Sequence, residues 1–468
     1  MSPESSDVAD WLRVCKLLVE RTDAHSLMQV RTSSAHLTCT IANREGGSRS
    51  WSLSASAAGE ALRAALAPAT GGGPVVLWFA EVLQGPAWEL VAHELRDHTP
   101  ALLVGADSSQ VSPEQLGEAL SSLGLPVTFV GRSPPGTDGA SRPAALVIRG
   151  FTGVRAAPPD FKILAIVTAY NEEDVIRATA RYLLNQGIQV HLVDNWSQDR
   201  TRAQVQDLVG QGLTVQQFPP SGRSDSYDWT GLLGNVEQVA LASGADWVIH
   251  HDSDEVRESP WPGTSLRDAI YTVDQLGWTA IDHTCLEFRA IDDAYPPGVS
   301  LRDYFFHFEF ARSDRVNAWR QKAGVPVDLR SSGGHQVRFP GMQVFPVNFF
   351  MRHVSIRSQA HGERKVYRDR QPRYPVAELL KGWHRHYADV RPHQDFLRDP
   401  TTLLRFHEST FYETYLFERL ARTGIPESPS NESGTLKLRI VRALRAWGLG
   451  NLIEHAQILK LGWRARRR

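Results

Sequence analysis

Between residues 161 and 256 the chain repeats one pattern three times: a short apolar run stops on a polar stretch that carries an acid. Phe161 to Thr168 (FKILAIVT) runs into Ala169-Tyr170-Asn171-Glu172-Glu173, and Ile188 to Val193 (IQVHLV) runs into Asp194-Asn195-Trp196-Ser197-Gln198-Asp199. Trp247-Val248-Ile249 runs into His250-His251-Asp252-Ser253-Asp254-Glu255. Apolar runs of this length, rich in β-branched residues, read as strands buried on both faces. Between the first two, Val175, Ile176, Thr179, Tyr182 and Leu183 recur at helical spacing until Asn185-Gln186-Gly187 stops them. A helix from about Thr201 leads to the strand Leu213-Thr214-Val215, and one from about Leu232 to Ala242 leads to Trp247. The result is a β-α-β-α-β-α-β series and hence a mostly parallel sheet. Its charges collect at the carboxyl ends of the strands, where open α/β sheets bind ligands.

Asp252 and Asp254 stand one residue apart at the third exit. Hard oxygen ligands at such an edge suit a divalent cation, magnesium or manganese, which in turn suits a phosphate-bearing substrate. A solvated acidic turn is the competing reading, and only the two preceding exits weigh against it.

The remaining sequence bounds the setting. A chain of 468 residues exceeds one ordinary core, and 42% hydrophobic with 22% charged residues is usual for a globular protein. The expected organisation is an α/β domain of unassigned role over 1–157, a catalytic domain over 161–395, and a helical C-terminal region with a basic tail over 396–468. In the first, Pro74–Phe79, Ala101–Gly105, Leu125–Val130 and Ala144–Ile148 are strand candidates, with a helix near Trp88 to Arg96. None is followed by a glycine-rich phosphate loop. Cys15, Cys39 and Cys285 form no metal-ligand spacing, and a reducing cytoplasm fits them best. The polar start Met1-Ser2-Pro3-Glu4 is unlike a secretory signal, and no apolar run approaches the roughly 20 residues of a membrane span. The net charge is −1, and the acidic body has no basic stripe with interleaved aromatics, so nucleic acid is not expected as a partner.

Taken together, the three exits resemble the motifs of family 2 glycosyltransferases. Thr168-Ala169-Tyr170-Asn171-Glu172 is similar to the opening motif, Val193 to Thr201 to the second, and Asp252-Ser253-Asp254 to the metal-binding Asp-x-Asp. Phe308-Glu309-Phe310, Ser332-Gly333-Gly334-His335, and Arg352-His353 through Arg357-Ser358 to Lys365 resemble bacterial members. Asn195 departs from the pattern, which more often has a second Asp.

The resemblance implies a GT-A nucleotide-sugar-binding fold, Rossmann-like with a mostly parallel sheet, and inverting transfer from a nucleoside-diphosphate sugar to a hydroxyl acceptor. It assigns Asp254, Asp252 and His335 to a divalent cation, Mn2+ or Mg2+. Thr168, Tyr170, Glu172, Asp194, Asn195 and Asp252 would hold base and ribose, and Arg223, Arg357 and Lys365 the phosphates. Glu172 has a rival reading as a charge favoured at a helix N-terminus. Inversion calls for a carboxylate base on the acceptor hydroxyl, for which Asp293, Asp292 and Glu287 are the candidates. The cluster Trp383, His384, His386 and Tyr387 reads as an aromatic patch rather than a zinc site.

From Leu436 to Arg468 nine Lys or Arg face Glu454 alone, a local charge of +8 that leaves −9 on the rest. Leu436, Ile440, Val441, Leu444 and Trp447 share one face and Arg439, Arg442 and Arg445 another. This pattern suits peripheral contact with an anionic membrane surface, as surface polysaccharide assembly would use, or an ordinary packed terminal helix. Two other functions compete. A sugar nucleotidyltransferase resembles a Gly-x-Gly-x-Arg opening that this chain lacks, and a non-catalytic nucleotide-sugar binding module is disfavoured by the intact Asp pair.

Overall fold

The computed structural model describes residues 101–106, 110–132, 139–311, 315–375, 378, 390–391 and 393–420, together with the backbone of four strands between 26 and 79. The chain divides into two units, Met1–Thr423 and Gly424–Arg468. The basic tail and the Trp383–Tyr387 cluster lie outside the described residues.

Three sheets carry the first unit. Strands β1 (Ser26–Ser33), β2 (His36–Asn43), β3 (Ser48–Ser54), β4 (Val75–Phe79), β5 (Ala101–Ala106), β6 (Val127–Arg132) and β7 (Pro143–Ile148) form the first, in the order β3-β2-β1-β4-β5-β7-β6. Its centre, β1-β4-β5, is parallel, while β2, β3, β6 and β7 pair antiparallel. The four apolar runs expected here are β4 to β7. The sequence reading did not include β1 to β3, because SLMQVRTS and SRSWSLS interleave polar residues and carry no continuous apolar signal. The helix expected near Trp88 lies outside the described residues.

Strands β8 (Ile163–Ala169), β9 (Gln189–Asp194), β10 (Leu213–Gln217), β11 (Trp247–Asp252), β13 (Ala280–Ile281) and β16 (Ala318–Arg320) form the second sheet, ordered β10-β9-β8-β11-β16-β13. The four strands β10-β9-β8-β11 are parallel, as the βαβ series predicts, and β16 joins antiparallel to both neighbours. Burial explains the run of apolar residues: six of the seven side chains of β8 are buried. Helix Ile176–Asn185 turns Ile176, Thr179, Ala180 and Leu183 inward and ends before Gly187, whose φ of +72° a side chain would resist. Helix Trp229–Ala242 starts on Asp228, whose carboxylate accepts from the Gly231 amide. The segment expected to be helical from Thr201 is a single 3₁₀ stretch, Ala203–Leu208.

A third sheet was not anticipated. It orders β12 (Glu255–Glu258), β17 (Phe349–His353), β14 (His283–Phe288), β15 (His307–Phe310) and β18 (Leu404–Arg405) as β12-β17-β14-β15-β18. Strand β11 belongs to the second sheet and β12 to the third, so Ser253 and Asp254 occupy the turn where the chain passes between them. One apolar cluster runs from Ala101, Phe129 and Leu146 through Ile163 and Trp247 to Phe349 and Leu420. Trp261 joins its parts, stacked on Phe129 at 5.2 Å and on Phe151 at 5.7 Å. No described helix is long and apolar enough to cross a membrane.

Candidate active site

The strand exits of the second sheet open onto a cavity of about 320 Å³. Thr168, Tyr170 and Glu172 reach it from β8, Asn195 from β9, and Asp252, Ser253 and Asp254 from β11. Tyr227, Trp229, Arg315, Ser332, Gly333, His335, His353, Lys365, Arg370 and Tyr374 supply the opposite walls.

The Asp pair stands on a fixed floor. The Thr168 hydroxyl donates to Asp252 Oδ1 at 2.9 Å, and the Asp252 amide donates to Glu255 Oε2 at 3.1 Å. Buried Arg257 holds that same oxygen at 2.7 Å, the His250 carbonyl at 2.9 Å and Asn317 Oδ1 at 2.5 Å. A guanidinium is suited to this task because its donors are planar and rigidly spaced.

Asp254 sits in a ladder of alternating charges. Glu287 Oε1 lies 2.6 Å from His353 Nδ1, and His353 Nε2 lies 3.6 Å from Asp254 Oδ1. Asp254 Oδ2 accepts from Lys365 Nζ at 2.7 Å, and Lys365 also reaches Glu172 Oε1 at 3.0 Å. Glu172 Oε2 meets Arg357 at 2.5 Å, and Arg357 closes the chain on Asp174 at 2.6 Å. The partners dominate each protonation state. Burial alone would raise Asp254, yet Lys365 and His353 hold it well below the usual carboxylate range. Burial alone would depress His353, yet Glu287 and Asp254 hold it well above the usual imidazole value. Burial would likewise raise Glu287, and His353 brings it down to about 2.

Of the residues expected from sequence, Thr168, Tyr170, Glu172, Asn195, Asp252, Asp254, His335 and Lys365 share this cavity. Arg357 does not line it; it is 1% exposed and braces Glu172 from behind. Asp194 is fully buried and accepts from the Ser197 amide at 3.2 Å, and burial raises its pKa. Arg223 is exposed and outside the cavity wall. The three candidate bases are also off the wall. Glu287 is spent on His353, Asp292 accepts from the Ala294 amide and the Tyr304 hydroxyl, and Asp293 accepts from the Gln359 amide at 2.6 Å.

Asn195 has a physical reason for departing from Asp. Its Oδ1 accepts from Arg373 at 2.9 Å while its Nδ2 donates to the Phe218 carbonyl at 3.0 Å. An Asp could not make the second bond. Arg373 in turn stacks 4.0 Å over the Tyr170 ring, so this amide positions the wall.

Sequence reasoning gave no role to His353, Arg315, Arg370, Tyr227, Trp229 or Tyr374. His353 lies inside the Arg352-to-Lys365 motif, but its role depends on Glu287, its partner across β14 and β17. Lys365 and Arg370 face one cavity although five residues apart because Arg364–Arg370 is a π-helix, whose turn closes on the fifth residue.

Residues 164–261 match the family model described as glycosyl transferase family 2, which covers all three strand exits. No curated protein matches the chain. Among solved structures it is similar to S. aureus TarS in complex with UDP, at 16% identity and a TM-score of 0.26, over 42% of this chain and 61% of that one. It is also similar to glucosyl-3-phosphoglycerate synthase from Mycobacterium tuberculosis, in complex with Mn2+, uridine diphosphate and glucosyl-3-phosphoglycerate. There the identity is 15% and the TM-score 0.19, over 27% of this chain and 44% of that one. The chain thus spans less than two thirds of the length of either.

Proposed function

We propose that this chain, which carries a family 2 glycosyltransferase domain over residues 164–261, transfers a sugar from a nucleoside-diphosphate donor to a hydroxyl acceptor with a divalent cation in its active site. The observation that carries this reading is the convergence of three strand exits, Asp252 and Asp254 among them, on one cavity walled by Lys365, Arg315 and Arg370. The departing diphosphate gains negative charge as the glycosidic bond breaks, and a bound cation would stabilise it there as a Lewis acid.

The residues fit such a cation. Asp254 and His353 face one another at 3.6 Å, and His353 Nδ1 rests on Glu287. A carboxylate on one ring nitrogen orients a metal-binding imidazole, and the other nitrogen would take the metal in exchange for the proton that Asp254 otherwise holds there. Asp252 shares the cavity and completes an oxygen-rich set. His335 fits less well, because its Nδ1 meets the Arg315 guanidinium at 2.5 Å. We therefore assign the histidine ligand to His353.

The protein's own groups do the remaining work. Tyr170, backed by Arg373, offers a ring face to the nucleobase, and the Thr168–Asp252 pair takes the ribose side. Lys365 and Arg370 neutralise phosphate oxygens from the π-helix. For an inverting displacement, Asp292 and Asp293 are the acids to substitute, since the charge of Glu287 is already committed. The domain divisions near 157–161 and 396, and a role for the basic tail at an anionic membrane, are proposals of the same standing.

A panel of nucleotide sugars scored for free diphosphate, with manganese, magnesium or chelator, tests this function. UDP-sugars come first, UDP being bound in both similar structures. Metal-dependent release that Asp254→Ala abolishes without unfolding the protein is expected. Turnover indifferent to chelator, or an active Asp254→Ala variant, contradicts the mechanism. Donor binding without turnover on any acceptor would favour a binding module.

A further inference from the structure

Cys285 and Glu287 stand two apart on β14, so their side chains leave the sheet on one face. Strand β17 runs parallel beside β14 and sets His353 opposite Glu287. A thiol, a carboxylate and an imidazole thus meet, with one ligand atom of each within 4.8 Å of the other two. Glu287 Oε1 lies 3.7 Å from Cys285 Sγ and 2.6 Å from His353 Nδ1, while Glu287 Oε2 lies 3.9 Å from Arg289. Cys285 is buried, but His353 lines the cavity and gives an ion a way in.

Sulfur, nitrogen and oxygen donors in one set suit zinc, which takes four ligands at about 2.0–2.3 Å. The ligand atoms of such a tetrahedron stand roughly 3.3–3.7 Å apart, and side-chain shifts of about 1 Å bring these three to that spacing, with water as the fourth. Charge favours the exchange. Zinc displaces the proton of the Cys285 thiol and the one on His353 Nδ1, so two charges replace two and the buried ladder keeps its net charge. Among the described residues one other set, Glu172, Asp174 and His361, comes as close together. Arg357 already fills it, 2.5 Å from Glu172, 2.6 Å from Asp174 and 2.7 Å from His361.

We propose that Cys285, Glu287 and His353 form a zinc site that shares His353 with the donor's cation, so that the two ions exclude each other. Zinc on Nδ1 leaves the ring its last proton on Nε2, facing Asp254 at 3.6 Å. The donor's cation would have to displace that proton from a ring already carrying a metal. Zinc binding stands on the β14–β17 geometry alone, whereas the exclusion rests on the assignment of His353 to the donor's cation.

Cobalt(II) is the probe, because it accepts zinc's tetrahedral geometry and gives a thiolate charge-transfer band in the near ultraviolet. Titrated into the full chain, cobalt should produce that band and zinc should bleach it. Cys285→Ser should lose the band, and the variant Cys15→Ser with Cys39→Ser should keep it. In a second arm, UDP with saturating Mg2+, an ion that prefers oxygen ligands to thiolates, should raise the cobalt concentration needed for the band about tenfold. No band in the parent, or a band that persists in Cys285→Ser, overturns the zinc site. A band unmoved by bound UDP and Mg2+ overturns the exclusion. Calorimetry of the parent with UDP and Mg2+ separates the two readings: without binding there, the nucleotide-sugar reading falls and the exclusion with it, while the first arm still decides the zinc site.

Discussion

Arg357 shows how a residue outside the cavity governs what the cavity can do. Its side chain is 1% exposed between Glu172, 2% exposed, and Asp174, 16% exposed. Removing one partner of a buried ion network strands the others without compensation, which costs about 3–5 kcal/mol. Arg357→Ala should therefore lower unfolding free energy by that amount in urea denaturation. A loss under about 1 kcal/mol would mean that the ladder does not hold the first exit in place. Sequence allowed Arg357 to be singled out but misjudged its target, since a phosphate and a buried carboxylate pair ask for the same guanidinium. That Glu172 and Lys365 line the cavity was legible for the opposite reason: each lies within a few residues of a recognisable strand exit or motif. His353 was not, because its chemistry is set by Glu287 66 positions away in sequence.

At the scale of elements, the parallel strands were readable because burial on both faces demands unbroken apolar runs, as in β8 and β11. The third sheet was not, because β12, β14 and β17 carry Arg257, Glu287 and Arg352 and take their pairing from distant segments. The loop that brings His335 to the cavity depends on one glycine. Gly334 has a φ of +90°, and an added Cβ would lie 3.1 Å from both His250 Cε1 and Leu233 Cδ2. Gly341 has a φ of +74° with nothing within 4 Å, so it isolates the backbone cost. Each alanine substitution should cost roughly 1–3 kcal/mol for the left-handed backbone. Only Gly334→Ala also crowds neighbouring side chains, so its melting temperature should fall further. Equal effects of Gly334→Ala and Gly341→Ala would remove the packing argument.

Over the whole molecule, the cavity depends on two sheets meeting at one turn. The first exits come from the second sheet, His353 comes from the third, and the Asp252–Asp254 segment is where the chain passes between them. The same apolar cluster continues past the linker at 156–160 into the first sheet through Trp261. A boundary there, plain in the proline-rich sequence Ala156-Ala157-Pro158-Pro159-Asp160, is therefore no break in the core. Local composition marks a linker well, but whether the flanking elements share a core depends on contacts that no short window contains.

The central claim is that Asp254 and His353 together hold the cation on which diphosphate binding depends. Manganese affinity of the full chain in the presence of UDP, compared for the parent, His353→Ala and His335→Ala, tests it most directly. His353→Ala should weaken manganese binding by about 10–100-fold or more, as loss of metal-site partners typically does, while His335→Ala leaves it within a few-fold of the parent. Unchanged affinity in His353→Ala, or a loss confined to His335→Ala, would contradict the claim.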